Sequence, residues 1–92
     1  MAATARMYMV ECYAPAINGE RARAAAERLA VTGAECRIDY LGALLMLEDE
    51  VVFHLFAASA PDVVREASLR AGIEFARVLE ALPVGIELPE IR

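Results

Sequence analysis

The chain has no Trp, no Lys and a single His among its 92 residues, and only two Cys. Each scarcity removes a class of function. Without Lys, all positive charge is carried by nine Arg against fourteen acidic residues, giving a formal net charge of −5. Nucleic acid needs a basic face to meet its phosphates, so no nucleic-acid partner is expected. Cys12 and Cys36 lie 24 positions apart and form no C-x-x-C motif, too sparse for a disulfide scaffold, a zinc knuckle or a thioredoxin-like site. They read as half-buried thiols acting as small hydrophobes, with pairing across a subunit interface left open. No apolar run approaches the roughly 20 residues that cross a bilayer, so no membrane partner is expected. The opening Met1-Ala-Ala-Thr-Ala-Arg6 lacks the apolar stretch of a secretory signal, and the expected location is the cytoplasm. There is no Gly-rich phosphate loop, no H-E-x-x-H and no nucleophile elbow.

What the chain does have is apolar mass. Hydrophobic residues make up 59%, nineteen of them Ala, which suits a packed globular domain rather than a disordered segment. The length supports one core, so residues 1–92 are expected to form a single domain, with a body over about 6–82 and an extended C-terminal arm over 83–92.

The stretch Arg6-Met-Tyr-Met-Val-Glu-Cys-Tyr13 is rich in strand formers and closes at Ala14-Pro15. Alternation puts Tyr8, Val10 and Cys12 on one face and Met7, Met9, Glu11 and Tyr13 on the other. Asn18 then offers a helix N-cap, with Glu20 near the positive end of the dipole. Ala22, Ala25, Ala26, Leu29 and Ala30 recur at helical spacing, with Arg21, Arg23, Glu27 and Arg28 outside the stripe, and Gly33 is expected to end the helix. Residues 36–47 read as a second strand with Gly42 at a bulge, Glu48-Asp49-Glu50 as a turn, and residues 51–58 as a third strand. Ser59-Ala-Pro-Asp62 matches a capping box opening a second helix that stops at Gly72, and residues 75–82 read as a fourth strand broken by Pro83. Ser59 and Ser68 are read as a cap and a helix-surface residue.

The order β-α-β-β-α-β predicts an α+β, ferredoxin-like split-βαβ fold, a four-stranded antiparallel sheet with two helices on one face. Its other face stays open. The uniformly apolar set Val51, Phe53, Leu55 and Ala57 is assigned to the helix side, which sends Val52, His54 and Phe56 to the open side beside Glu11 and Tyr13. An open apolar face of this kind predicts a homodimer of the dimeric α+β barrel type. Glu11 and His54 are expected side by side there as metal ligands, with Glu80 a further oxygen donor and Tyr13 and Phe56 lining a small-molecule site; Asp39 is a possible fourth donor.

The chain also resembles the family of small ferredoxin-like nickel-binding proteins, most of which carry a domain-of-unknown-function label. The likeness runs from about Tyr8 to Ala81 and rests on short motifs: Tyr8-Met-Val-Glu11, Phe53-His-Leu-Phe56, Ala58, Arg65-Glu66, Ala71-Gly72 and Arg77-Val-Leu-Glu80. The family's strand-three Cys falls on His54, and its Trp-x-His-Ser-Tyr segment is replaced by Tyr40-Leu-Gly-Ala-Leu44, without His or Ser. The resemblance implies the fold and a transition metal such as Ni, with Zn equally suited to imidazole and carboxylate; no organic cofactor is expected. Two other readings stand beside a ligand-binding protein. One is a cofactor-free dimeric α+β barrel enzyme (isomerase, cyclase or monooxygenase) acting on an apolar small molecule, with His54 as base and Glu11 as orienter. The other is a non-catalytic interaction module.

Overall fold

A computed structural model describes residues 5–86. The elements run β1 (Arg6–Tyr13), α1 (Gly19–Glu35), β2 (Asp39–Met46), β3 (Val51–Ala58), α2 (Pro61–Arg70) and β4 (Arg77–Ala81). The strands form one sheet in the order β2-β3-β1-β4, every neighbouring pair antiparallel. This α+β architecture is compatible with the ferredoxin-like fold. Pro83 to Ile86 add no strand, and the rest of the expected arm lies outside the described residues.

Both helices share one core with the sheet. Tyr8, Val10 and Cys12 from β1 and Val52 and Phe56 from β3 pack with Leu29 of α1 and Val64 and Ala67 of α2. β1 therefore turns to the helices the face that its alternation predicts. β3 does not. Its register sets Tyr8 opposite Phe56, Val10 opposite His54 and Cys12 opposite Val52, so Val52, His54 and Phe56 point inward. Val51, Phe53 and Leu55 lie on the open face, opposite Tyr13, Glu11 and Met9. Both faces of β3 are apolar, so hydrophobicity alone does not orient this strand. The expectation that alternation carries Val52, His54 and Phe56 to the open side is overturned: all three are buried, and the His54 ring is hydrogen-bonded to Tyr40.

The helix ends show a second correction. Gly33 does not stop α1; it is buried within the last turn, and the helix continues to Glu35. The left-handed residue is Arg37 (φ 63), whose N–H donates to the Ala34 carbonyl while Ile38 donates to that of Gly33. This paired closure is a Schellman motif with Arg at the position that glycine favours. α2 closes in the same way through Gly72 (φ 72), as its sequence predicts. At its start, Ala60 rather than Ser59 is the N-cap, with no side-chain bond, so the expected capping box does not form; Pro61 still opens the helix. Ser68 is not a surface residue: it is fully buried, and its hydroxyl donates to the Val64 carbonyl at 2.9 Å. Gly42 does mark the bulge in β2, where its φ of 134 suits glycine.

Candidate functional site

His54 is 2% exposed, on the inner face of β3. Its Nδ1 lies 2.9 Å from the Tyr40 hydroxyl of the neighbouring strand, and the ring of Tyr40 packs edge-on against Phe56. One proton sits between Tyr40 and Nδ1. If Tyr40 donates, Nε2 carries the ring hydrogen; if Nδ1 donates, Nε2 is a free acceptor. Burial and the nearby Arg28 guanidinium push the imidazole down to about 4, so the ring is neutral at pH 7. Burial likewise holds the Tyr40 phenol up at about 12. Cys12, on the same inner face, is raised to about 11 by burial and then by the Glu11 charge, so it is a thiol rather than a thiolate.

Cys12 and His54, but not Tyr40, line the floor of a cleft of about 340 Å³ between α1 and the sheet. Cys12, Val52 and His54 come from the strands, and Ile73 and Glu74 from the segment after α2. One wall is α1, through Arg21, Ala25 and Arg28. Positions separated by four and three share a helix face, so two guanidiniums bracket a methyl group over the floor. The α1 fold is set locally: Asn18 accepts the Arg21 N–H at 2.9 Å, capping a run of Ala and Arg with high helix propensity. The rim is tied down by Glu50, whose carbonyl and carboxylate accept the N–H groups of Ala14 and Ala16, each at 2.8 Å.

The expected site residues do not converge. Glu11 sits on the open face, where it accepts from Arg77 Nε at 2.6 Å and lies opposite Phe53. His54 is on the other side of the sheet, so the side-by-side pair is not formed. Glu80 lies opposite Tyr8 and reaches Arg6 at 3.9 Å; Asp39 lies opposite Ala57 on the open side. Phe56 is fully buried in the core rather than lining an outer site. Tyr13, 68% exposed, lies at the mouth of the cleft. Sequence reasoning missed Arg21 and Arg28, placed there only outside the apolar stripe, and the bond from Tyr40. The seven-residue spacing of the two arginines around Ala25 was the available signal.

Among the described residues, no three of His, Cys, Asp and Glu come together as a cation would need. None of the described helices is long and apolar enough to cross a membrane. No family model matches the chain, and no curated protein or solved structure is significantly similar to it.

Proposed function

We propose that this chain is a small-molecule-binding protein whose ligand occupies the cleft over His54. The observation that carries the reading is a neutral, buried imidazole, positioned by Tyr40, lining a cleft whose other walls combine apolar side chains with Arg21, Arg28 and Glu74. Ligand sites combine concave apolar walls with a few fixed polar groups in this manner. A panel of small aromatic and aliphatic compounds, followed by backbone amide spectra, tests it. Saturable shifts should gather at Cys12, Val52, His54 and Ile73, and Ala25→Phe, which fills the cleft, should remove them without unfolding the chain. Shifts scattered elsewhere, or none, would overturn the reading. In a cofactor-free isomerase or monooxygenase, His54 Nε2 would face the ligand as base, with Tyr40 as its positioning residue.

A nickel- or zinc-binding protein is the second reading, favoured by the thiol of Cys12 and the imidazole of His54 lining one cleft. Two donors do not complete a shell, and both must be free of protons to bind. Calorimetric titration of untagged, chelator-treated protein with Ni²⁺ and Zn²⁺ decides it: fixed stoichiometry lost in His54→Gln supports it, and binding unchanged by that substitution refutes it.

The working unit is a ferredoxin-like homodimer of the α+β barrel type joined through the open sheet face, in the reducing cytoplasm that suits two free thiols. Met7, Met9, Val51, Phe53, Leu55 and Leu79 are half-buried there, and Leu44 and Met46 are exposed. The charged members of that face are the mutually paired Glu11 and Arg77, with Asp39 on the outer strand. A chain carrying net charge −5 thus places one acid without an ion pair, Asp39, on this surface among the described residues. Three strands of eight residues and one of five, about 4.8 Å apart, cover about 450 Å² in flat projection. Side-chain relief and the exposed Leu82, Val84 and Ile86 after β4 bring this toward the roughly 800 Å² per partner of a standard interface. Light scattering should give a dimer for the wild type and a monomer for Leu55→Glu; a wild type that stays monomeric when concentrated refutes the assembly.

A further inference from the structure

The cleft is charged in the opposite sense to the rest of the chain. Arg21 and Arg28 face it together with one acid, Glu74. Arg6, Arg65, Arg70 and Arg77 each form an ion pair, whereas Arg21 and Arg28, like Arg23 and Arg37, form none among the described residues, although acids outnumber arginines fourteen to nine. Arg28 is also held in place: its Nε donates to the Ala71 carbonyl at 3.2 Å, which fixes the guanidinium plane and leaves its terminal nitrogens without a partner among the described residues. An oriented, unpaired guanidinium at the edge of a cleft with apolar groups on its floor is matched to a planar carboxylate, which it meets through two parallel hydrogen bonds.

We propose that the ligand is a small organic monocarboxylate, its anionic end met by Arg28 and Arg21 and its apolar body lying against Val52, Ile73 and the ring of His54. This rests on the assignment of the cleft as the binding site. The volume of about 340 Å³ lies at the lower end of the range for small-molecule pockets, about 300–1,000 Å³, which suits a single aromatic ring or a short branched chain. Inorganic phosphate would meet the arginines but leave the apolar floor unfilled. A neutral aromatic would fill the floor and leave both guanidiniums unmatched.

Benzoate and benzamide, which share a shape and differ in charge, make the test, followed through the backbone amide spectrum of the full chain. Benzoate should shift Val52, His54 and Ile73 saturably and bind at least about tenfold more tightly than benzamide, since a charge-assisted pair contributes more than a neutral one. Arg28→Gln should cut that preference to about twofold or less. Arg21→Gln, at an exposed helix position, provides the same measurement if the first variant proves unstable. Added salt should weaken benzoate and spare benzamide. Equal affinity of the two probes at the same residues, or a preference unchanged in both variants, would overturn the carboxylate assignment while leaving the cleft as the site. No shift at those residues from either probe at about 10 mM would overturn the site itself, because a ligand of this size that fits binds well within that range.

Discussion

The buried state of His54 makes folding stability depend on acid in a way that can be computed and tested. Its ring falls from an unfolded value near 6.5 to about 4 in the folded chain, because burial and then Arg28 disfavour the imidazolium. Between these two values the unfolded chain carries the extra proton, so stability is lost as the pH falls below about 6.5 and the loss levels off below about 4. Each pH unit inside the window costs about 1.4 kcal/mol, which gives about 2 kcal/mol at pH 5 and about 3 kcal/mol once the ring is charged in both states. Carboxylate protonation adds its own slope, so the measurement is a difference. Urea unfolding of the wild type and of His54→Gln at pH 7, 6, 5 and 4.5 should show the wild type losing about 2 kcal/mol more than the variant between pH 7 and 5. Gln keeps a polar partner for the Tyr40 hydroxyl and does not titrate. Parallel pH slopes for the two proteins would refute the placement of a neutral, buried imidazole under α1.

Tyr8 is 1% exposed, and its hydroxyl has no hydrogen-bond partner among the described residues. Tyr8→Phe should therefore stabilise the fold by about 1 kcal/mol, read as a rise of about 4–8 °C in Tm. Leu29 is fully buried beneath α1, and Leu29→Ala should cost about 2–5 kcal/mol in chemical denaturation, as a cavity in a small core must. Arg37→Gly should be neutral to stabilising by up to about 1 kcal/mol, since the left-handed position disfavours a side chain; a clear destabilisation would show that the Arg37 side chain matters. Gly33→Ala should also be tolerated and gain up to about 1 kcal/mol of helix propensity, because the added methyl meets Ile38 and Phe56 at ordinary contact distances of 3.6 to 3.8 Å.

Much of the architecture was legible as punctuation. Strands β1 and β3 begin and end where residue type changes, and Gly42 and Gly72 stand where backbone geometry calls for glycine. Gly33 misled because a glycine near a helix end is only a permissive residue. Ala34 and Glu35 propagate a helix well, and the bond from Ile38 closes it two residues later than the glycine suggests. The site was harder. A face assignment for β3 requires knowing which side satisfies His54, and that depends on Tyr40, fourteen positions away on another strand. Glu11 was placed on the correct face, but its partner is Arg77 of β4 rather than an imidazole. Tertiary pairing of polar groups, invisible to periodicity, decided both outcomes.

The two-sided hydrophobicity of β3 also bears on how the chain finds its register. A strand that alternates apolar and polar residues is punished for slipping by one position, because its greasy side then meets water. β3 escapes that penalty, since Phe53 and Leu55 would fill an interior about as readily as Val52 and Phe56. The marks that tell one alignment from its mirror are few and polar: the imidazole that needs Tyr40, the glycine bulge facing Leu55, and the N–H groups of Ala14 and Ala16 that reach for Glu50. These contacts act as a key for threading the central strand. Their removal would yield a compact chain with its middle strand free to lie either way up.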